Sequence, residues 1–209
     1  KMRDEVKNKK SNTFRAKGNF ESQYEKATKK IEATYETPYQ SHSCMEPLNC
    51  IADVKDNTCE IWGPIQAPDW VRGDIARLME LKIEDVAVNM TFLGGGFGRK
   101  AFLDYPHEAA VISKAVKAPV QVVWTREDDM TQGPFRPGMV YQCKGAISDS
   151  GTIQAFETKM AGQNMDQQGP GADKDSYNGN VVEGLPEPYL DTLPHYRFAD
   201  VPLETPIPV

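Results

Sequence analysis

The chain has few metal-ligating side chains and nowhere sets them close together. Its 4 cysteines, Cys44, Cys50, Cys59 and Cys143, contain no Cys-x-x-Cys, and its 3 histidines, His42, His107 and His195, are scattered. Structural zinc and iron–sulfur sites draw on closely spaced Cys and His, so neither is expected from side chains here. Cys44 and Cys50 lie near enough in sequence for a disulfide to be conceivable, but spacing does not set the required geometry; buried free thiols are the favoured reading. Long apolar runs are absent as well: none approaches the ~20 residues that span a bilayer. Positive charge is in deficit, with 24 Lys and Arg against 30 Asp and Glu and a net charge of −6. The pI is near 5.2, a balance that disfavours nucleic acid as a partner. Apolar residues make up only 39%, and the mean hydropathy is −0.56. The polarity gathers in the lysine-rich residues 1–30 and in the Gly-, Gln-, Asn- and Asp-rich residues 161–180. At 209 residues the chain suits one sizeable domain or two small ones.

What the chain does have is glycine concentrated in one place. The apolar run Val86-Ala87-Val88-Asn89-Met90-Thr91-Phe92-Leu93 leads into Gly94-Gly95-Gly96-Phe97-Gly98-Arg99-Lys100. Glycines in such a turn admit φ > 0 and let main chain approach a ligand with no Cβ in the way. Successive N–H groups there form an anion-binding concavity, and Arg99 and Lys100 add positive charge beside it. The loop is neither common phosphate motif. A P-loop needs Ser or Thr after its lysine, and Lys100 is followed by Ala101. The dinucleotide fingerprint needs a sixth-position glycine, which from Gly94 is Arg99 and from Gly96 is Ala101. Taken alone, a tight strand-to-helix turn that binds nothing is the alternative.

The periodicity predicts strands over residues 31–37, 49–54, 58–62, 86–93 and 120–124, and a hairpin of 139–147 with 152–159 over Ser148-Asp149-Ser150-Gly151. Pro68 suits a helix first turn, and Val71, Ile75, Leu78 and Met79 fall on one face of the helix after it. A second helix, near 106–117, carries the apolar stripe Ala109, Ile112, Ala115 and Val116. The order β-β-β-α-β-α-β-β-β implies an α+β fold, a two-layer mixed sheet with helices on one face.

Ordered blocks along the chain carry a resemblance. Ala33-Thr34-Tyr35-Glu36-Thr37-Pro38-Tyr39 leads into His42-Ser43-Cys44-Met45-Glu46-Pro47-Leu48-Asn49-Cys50. Then come Ile61-Trp62-Gly63-Pro64-Ile65-Gln66-Ala67-Pro68, the glycine loop, Val123-Trp124-Thr125-Arg126-Glu127-Asp128-Asp129-Met130 and Phe135-Arg136-Pro137. With these blocks, over roughly residues 30–160, the chain resembles the large, molybdopterin-binding subunit of the xanthine oxidase family of molybdenum hydroxylases. The likeness is to the isoquinoline 1-oxidoreductase / aldehyde dehydrogenase type. The resemblance implies a molybdenum cofactor-binding domain and a molybdenum–pterin cofactor, molybdopterin or its cytosine dinucleotide. It implies that Gln66 approaches an oxo ligand of the metal, that Phe97 and Gly98 supply backbone contacts to the molybdenum centre, and that Gly95, Gly96 and Arg99 bind the cofactor beside them. The metal is held by a pterin dithiolene, so no protein side chain need ligate it. A carboxamide and main-chain N–H groups suit metal-oxo oxygens, because they donate hydrogen bonds without competing as ligands.

The resemblance further implies an oxidoreductase that hydroxylates an aldehyde or N-heterocycle with water-derived oxygen. Electrons pass to iron–sulfur clusters elsewhere, on a small partner subunit. No catalytic residue is expected within the chain: the family's general base is a glutamate expected beyond Val209. The absent Met at Lys1 and the ending Pro202-Leu203-Glu204-Thr205-Pro206-Ile207-Pro208-Val209 read as one piece of a larger subunit, by itself inactive and without the cofactor. The expected partners are the remainder of that subunit, the small iron–sulfur subunit and a small-molecule substrate. The expected division is a partly disordered lead over 1–29, the cofactor-binding domain over 30–160, and an extended arm or linker over 161–209. Localisation, periplasmic or cytoplasmic, stays open. The alternative reading is a non-catalytic binding or assembly module sharing the fold.

Other residues admit two readings each. His42 beside Glu46 suggests an acid–base pair, with a supporting structural role preferred. Glu127-Asp128-Asp129 suggests a cation site, with a solvated helix start preferred. Phe135-Arg136-Pro137 serves either substrate or cofactor phosphate, or the loop itself. Arg99 and Lys100 serve either pterin phosphate or acidic neighbours.

Overall fold

The computed structural model describes residues 1–163, 187–207 and 209. The first elements in chain order are α1 (Met2–Asn8), β1 (Asn12–Lys17), α2 (Phe20–Lys26) and β2 (Lys29–Thr37). The middle of the chain gives β3 (Asn49–Val54), β4 (Cys59–Gly63), α3 (Pro68–Met79), β5 (Val86–Met90), α4 (Asp104–Val116), β6 (Val120–Val123) and α5 (Arg126–Thr131). The last are β7 (Met139–Ile147), β8 (Ile153–Gly162), α6 (Glu187–Thr192) and β9 (Tyr196–Pro202). Two compact units result: Ser41–Pro134, and Lys1–Gln40 together with Phe135–Val209.

The Ser41–Pro134 unit is a four-stranded mixed sheet in the order β5-β4-β3-β6. β3 and β4 pair antiparallel across a turn closed by Lys55 N–H donating to Thr58 O at 2.8 Å. Alternation decides the inward face: Cys50, Ala52 and Val54 of β3 and Cys59 and Ile61 of β4 are buried. α3 begins at Pro68, whose fixed φ and missing N–H cost nothing in a first turn. Its buried stripe is Val71, Ile75, Ala76 and Met79, and Ile61 and Ile75 are both 0% exposed. Each such side chain contributes about 1.5–3 kcal/mol on burial. β4, α3 and β5 form a parallel crossover, with Gly63 beside Met90 in register. The loops after β4 and after β5 therefore leave the same end of the sheet side by side.

The outer face of α4 differs from the expected stripe. Ala109 is buried, but Ile112 is 43% and Val116 56% exposed, and Ala115 is exposed too. The buried face is Tyr105, Pro106, Ala109, Ala110 and Ser113. Small residues at 109, 110 and 113 let the helix approach β3 closely, and Tyr105 supplies the volume. Ser113 is satisfied in the core: its Oγ accepts from Val54 N–H at 3.0 Å and donates to Ala118 O at 2.8 Å. Leu78, expected on the core face of α3, is 40% exposed, and Ala76 faces the core instead.

The other unit is a five-stranded sheet in the order β1-β9-β8-β7-β2. β1 runs antiparallel to β9, and β8 parallel to it. Adjacent strand residues feed different clusters. Met139, Met160 and Phe198 join Leu190 and Leu193, whereas Val140, Ala161 and Val201 pack with Val6 of α1. Ala146 and Ala155 pack with Phe20 of α2.

The division expected at 29/30 and 160/161 differs from this arrangement. Residues 1–17 supply α1 and a paired strand, not a disordered lead, and β9 is an interior strand, not part of an arm. The physical reason is pairing between the two ends of the chain, from Asn12 with Asp200 to Lys17 with Tyr196. Most of the Gly- and Asn-rich stretch expected as an arm, residues 164–186, lies outside the described residues.

Candidate functional site

Where β5 ends, Thr91 N–H donates to Gly63 O at 3.0 Å and fixes the β5 exit beside β4. The glycine loop follows and closes into a short 3-10 turn over Arg99–Ala101. Its conformation needs glycine at two places: Gly95 has φ +95 and Gly98 φ +97. Phe97 also has positive φ, +52, and holds its ring 63% exposed. Arg99 N–H donates to Gly96 O at 2.8 Å, so the loop folds back on itself.

Gln66, on the loop after β4, meets this turn directly. Its Oε1 accepts from Gly98 N–H at 3.0 Å and from Lys100 N–H at 3.2 Å. Its own N–H donates to Lys100 O at 2.9 Å. A Cβ on Gly96 would stand 2.4 Å from Gln66 Oε1, so only glycine leaves room for this approach. Two backbone donors fix the orientation of the carboxamide: the oxygen must face the loop, and the Nε2 amide turns outward on an exposed residue. Among the described residues, neither Gln66 Nε2 nor the N–H of Gly95 or Gly96 meets a protein acceptor. Gly96 is itself buried, and a buried N–H without a partner is rare. These donors fit a group rich in acceptor oxygens.

The other flank of the loop is held by Glu46. Gly94 N–H donates to Glu46 Oε2 at 2.8 Å, and Glu46 N–H donates back to Gly94 O at 3.1 Å. Lys100 Nζ, 0% exposed, donates to the same Oε2 at 2.6 Å. Asn49 Nδ2 donates to Oε1 at 3.2 Å. Burial alone would raise the Glu46 carboxyl, but the bonds from Lys100, Gly94 and Asn49 outweigh it and hold the group below its ordinary value. Cys44, buried, points its Sγ at Gly96 O at 3.3 Å. Burial raises that thiol, so it stays a neutral donor.

Of the two readings left open for the Arg99 side chain, the structure takes the acidic neighbour. Its side chain is 2% exposed and paired with Asp104, at 2.9 Å from Nη1 and 2.5 Å from Nη2, and Nη2 also donates to Gly133 O at 3.1 Å. The guanidinium lies 5.7 Å from the Phe102 ring centroid and 5.3 Å from that of Trp124. Arg99 and Lys100 thus both serve acidic neighbours, and Arg99 offers a ligand no guanidinium. The acid–base pair suggested for His42 and Glu46 does not form with these partners in place. His42 sits edge-on to Phe102, 6.4 Å between centroids, and its Nε2 would lie 3.8 Å from a Cβ on Gly98. Asp128 caps α5 in a reciprocal capping box with Thr125, and Asp129 is buried against Arg126 at 2.7 Å; neither is a solvated cation site. Arg136 forms an isolated bridge with Gln40 in the other unit. Among the described residues no cluster of three or more His, Cys, Asp or Glu could hold a metal ion, and the four cysteines are free. The sequence brought out Glu46 only as a neighbour of His42; its hold on Gly94 spans 48 residues and has no local signal.

Residues 3–176 match the model of the molybdopterin cofactor-binding domain. The chain is 33% identical over 171 residues to the aldehyde oxidoreductase molybdenum-binding subunit of Escherichia coli K12, covering 81% of this chain and 21% of that one. It is 30% identical over 104 residues to the isoquinoline 1-oxidoreductase subunit beta of Brevundimonas diminuta, covering 49% of this chain and 13% of that subunit. Among solved structures, the aldehyde oxidoreductase of Desulfovibrio gigas superposes with a TM-score of 0.70 at 20% identity, over 88% of this chain and 20% of that one. The chain spans about a fifth of the length of the Escherichia coli relative. No described helix is long and apolar enough to cross a membrane.

Proposed function

Because this chain belongs to the molybdopterin cofactor-binding domain of the xanthine oxidase family of molybdenum hydroxylases, we propose that Gln66 and the Gly95–Gly98 loop hold a molybdenum–pterin cofactor. They do so within a large subunit that hydroxylates an aldehyde or an N-heterocycle with water-derived oxygen. The activities for which the relatives are named, aldehyde oxidoreductase and isoquinoline 1-oxidoreductase, support the substrate class. The remainder of the large subunit and a small iron–sulfur subunit that accepts the electrons complete the assembly. The pterin is molybdopterin or its cytosine dinucleotide.

The observation that carries the reading is the meeting of Gln66 with Gly98 and Lys100. When bound, the molybdenum–pterin group supplies the oxygen-transfer and two-electron chemistry; the protein supplies orientation and electrostatics. Gln66 Oε1 is committed to the loop, so Nε2 can only donate, and it donates without adding a negative charge or a competing ligand. The N–H groups of Gly95 and Gly96 add main-chain donors from a loop whose conformation is held by its bonds to Gln66 and Glu46. Such donors fixed in advance need no reorganisation when charge develops on an oxygen opposite them. Gly98 contributes space: among the described residues beyond its chain neighbours, the nearest atom to where its Cβ would stand is His42 Nε2 at 3.8 Å. The Arg99 side chain acts from beneath by bracing Asp104 and the Gly133 carbonyl.

Gln66→Glu tests this. The remaining inward oxygen still accepts from Gly98 and Lys100, but the outward atom changes from donor to acceptor. In the full-length subunit with its iron–sulfur partner, made in a host that synthesises the cofactor, turnover should fall by about a hundredfold or more, the usual cost of one preorganised donor. Melting temperature should hardly change. Near-normal turnover would sink the reading. Wild-type subunit without molybdenum from that host would favour the assembly-module alternative.

A further inference from the structure

We propose that Glu46 is the positioning residue of the glycine loop: its carboxylate, neutralised by buried Lys100, holds the loop in the shape that faces the ligand. The inference deepens the proposed function and rests on it for what the loop binds. The loop-holding itself is measurable without any cofactor.

The geometry is a grip on both ends of one turn. At the entry, Gly94 and Glu46 exchange backbone and side-chain bonds, Gly94 N–H to Oε2 at 2.8 Å and Glu46 N–H to Gly94 O at 3.1 Å. At the exit, Lys100 Nζ reaches the same Oε2 at 2.6 Å. One oxygen therefore ties the two ends of a seven-residue turn together. The contact is too close for any side chain at 94: a Cβ there would stand 2.5 Å from Glu46 Cβ. Lys100 is fully buried, so its ammonium has no water to fall back on. Its main chain is held from the opposite side by Gln66, through N–H at 3.2 Å and O at 2.9 Å. Tyr105 Oη donates to the same carbonyl at 3.4 Å. Gln66 and Glu46 thus act as two jaws on one peptide segment, Gln66 at Gly98 and Lys100, Glu46 at Gly94 and Lys100. Loss of the Glu46 jaw leaves Gly94 N–H without its acceptor and loosens the aim of the Gly95 and Gly96 donors.

A buried ion pair can usually be exchanged for apolar residues of similar size without unfolding the protein. Two double variants therefore separate loop-holding from stability. Glu46→Gln with Lys100→Met removes both charges but keeps an oxygen for Gly94 N–H. Glu46→Met with Lys100→Met removes both charges and that oxygen. Hydrogen exchange of the 209-residue chain reads the amides of Gly94 and Gly98, which donate to Glu46 and Gln66. In the Gln/Met variant they should keep protection within about threefold of wild type. In the Met/Met variant they should exchange at least about tenfold faster, the effect of losing one hydrogen bond, with β3, β4 and α3 unchanged. In the full-length subunit the Met/Met variant should also lose molybdenum and the Gln/Met variant retain it. Equal exchange in the two variants overturns the proposal, as does molybdenum retained at wild-type level in both. A wild-type subunit that takes up no cofactor refutes the proposed function and leaves the exchange comparison to decide this one.

Discussion

The two units reach closure from opposite starting points along the chain. In Ser41–Pro134, one uninterrupted stretch, β3 and β4 form a hairpin and β5 returns beside β4 through α3. The other unit is made from both ends: β9 lies between β1 and β8, and Asn12 pairs opposite Asp200. Pairing across such a separation must first overcome the entropy of bringing the ends together, whereas a hairpin is rewarded at once. The candidate cofactor residues all lie in the locally closed unit. Their geometry depends on neighbours a few tens of residues away and not on the meeting of the chain ends.

The largest effect should come from cutting the non-local unit at its origin. Deleting residues 1–18 removes β1 and the Val6 anchor of the cluster with Val140, Ala161 and Val201. Hydrogen exchange should then lose protection throughout β7, β8 and β9, and keep it in β3, β4 and α3. Equal loss in both units would show that the contrast does not govern folding. Next in size is Ile75→Ala in the local unit, at about 2–5 kcal/mol by denaturant titration; a loss below about 1 kcal/mol would show a core able to collapse around the gap. Within the glycine loop, Gly96→Ala should cost about 1–3 kcal/mol, because its Cβ meets Gln66 Oε1. Protection at the Gly98 and Lys100 amides should fall with it. Gly98→Ala should cost about 1–2 kcal/mol through positive φ alone and spare those amides. Identical exchange patterns in the two variants would mean that Gln66 has room to move.

Alkaline pH gives a smaller contrast. Burial pushes Cys50 up to about 12 and Cys59 to about 11, from an ordinary 9.0. A thiol held neutral in the fold stabilises it below its ordinary value, and that stability is lost as pH rises towards the raised one. Thermal stability of Ser41–Pro134 should decline from about pH 9 upward, and a Cys50→Ala, Cys59→Ala variant should decline less steeply. Parallel decline in both proteins would assign the effect to other groups. Smallest of all, Ile112→Ser on the outer face of α4 should change stability by no more than about 0.5 kcal/mol; a larger loss would restore Ile112 to the core.

Much of the local unit is readable from its residues. Alternation at Cys50, Ala52 and Val54 marks β3, Pro68 marks the start of α3, and the glycine run marks the turn after β5. α4 misleads because apolar residues surround it: Ile112 and Val116 are larger than Ala109 and Ala110, yet the alanines win the core by allowing close approach to β3. The non-local unit is harder to read. Asn12-Thr13-Phe14-Arg15-Ala16-Lys17 lacks a strand pattern and becomes one only when β9 supplies its partner. Asp200, buried on β9, breaks the apolar run that would announce an interior strand. At the site, Gln66 and the glycine loop were named by the resemblance, but the commitment of Arg99 to Asp104 was not. Nothing in the order Arg99-Lys100 says that one side chain turns to Asp104 and the next to Glu46.

Those two adjacent cations are buried, each against a carboxylate about a third exposed, and this makes the glycine loop less sensitive to ionic strength than a surface pair. Mobile ions screen charges they can approach, and a side chain 0% or 2% exposed admits none. The α1 helix is fastened to β2 differently, by the exposed pair Arg3 and Glu36. Raising salt therefore loosens the Arg3–Glu36 fastening of α1 more than it loosens the glycine loop.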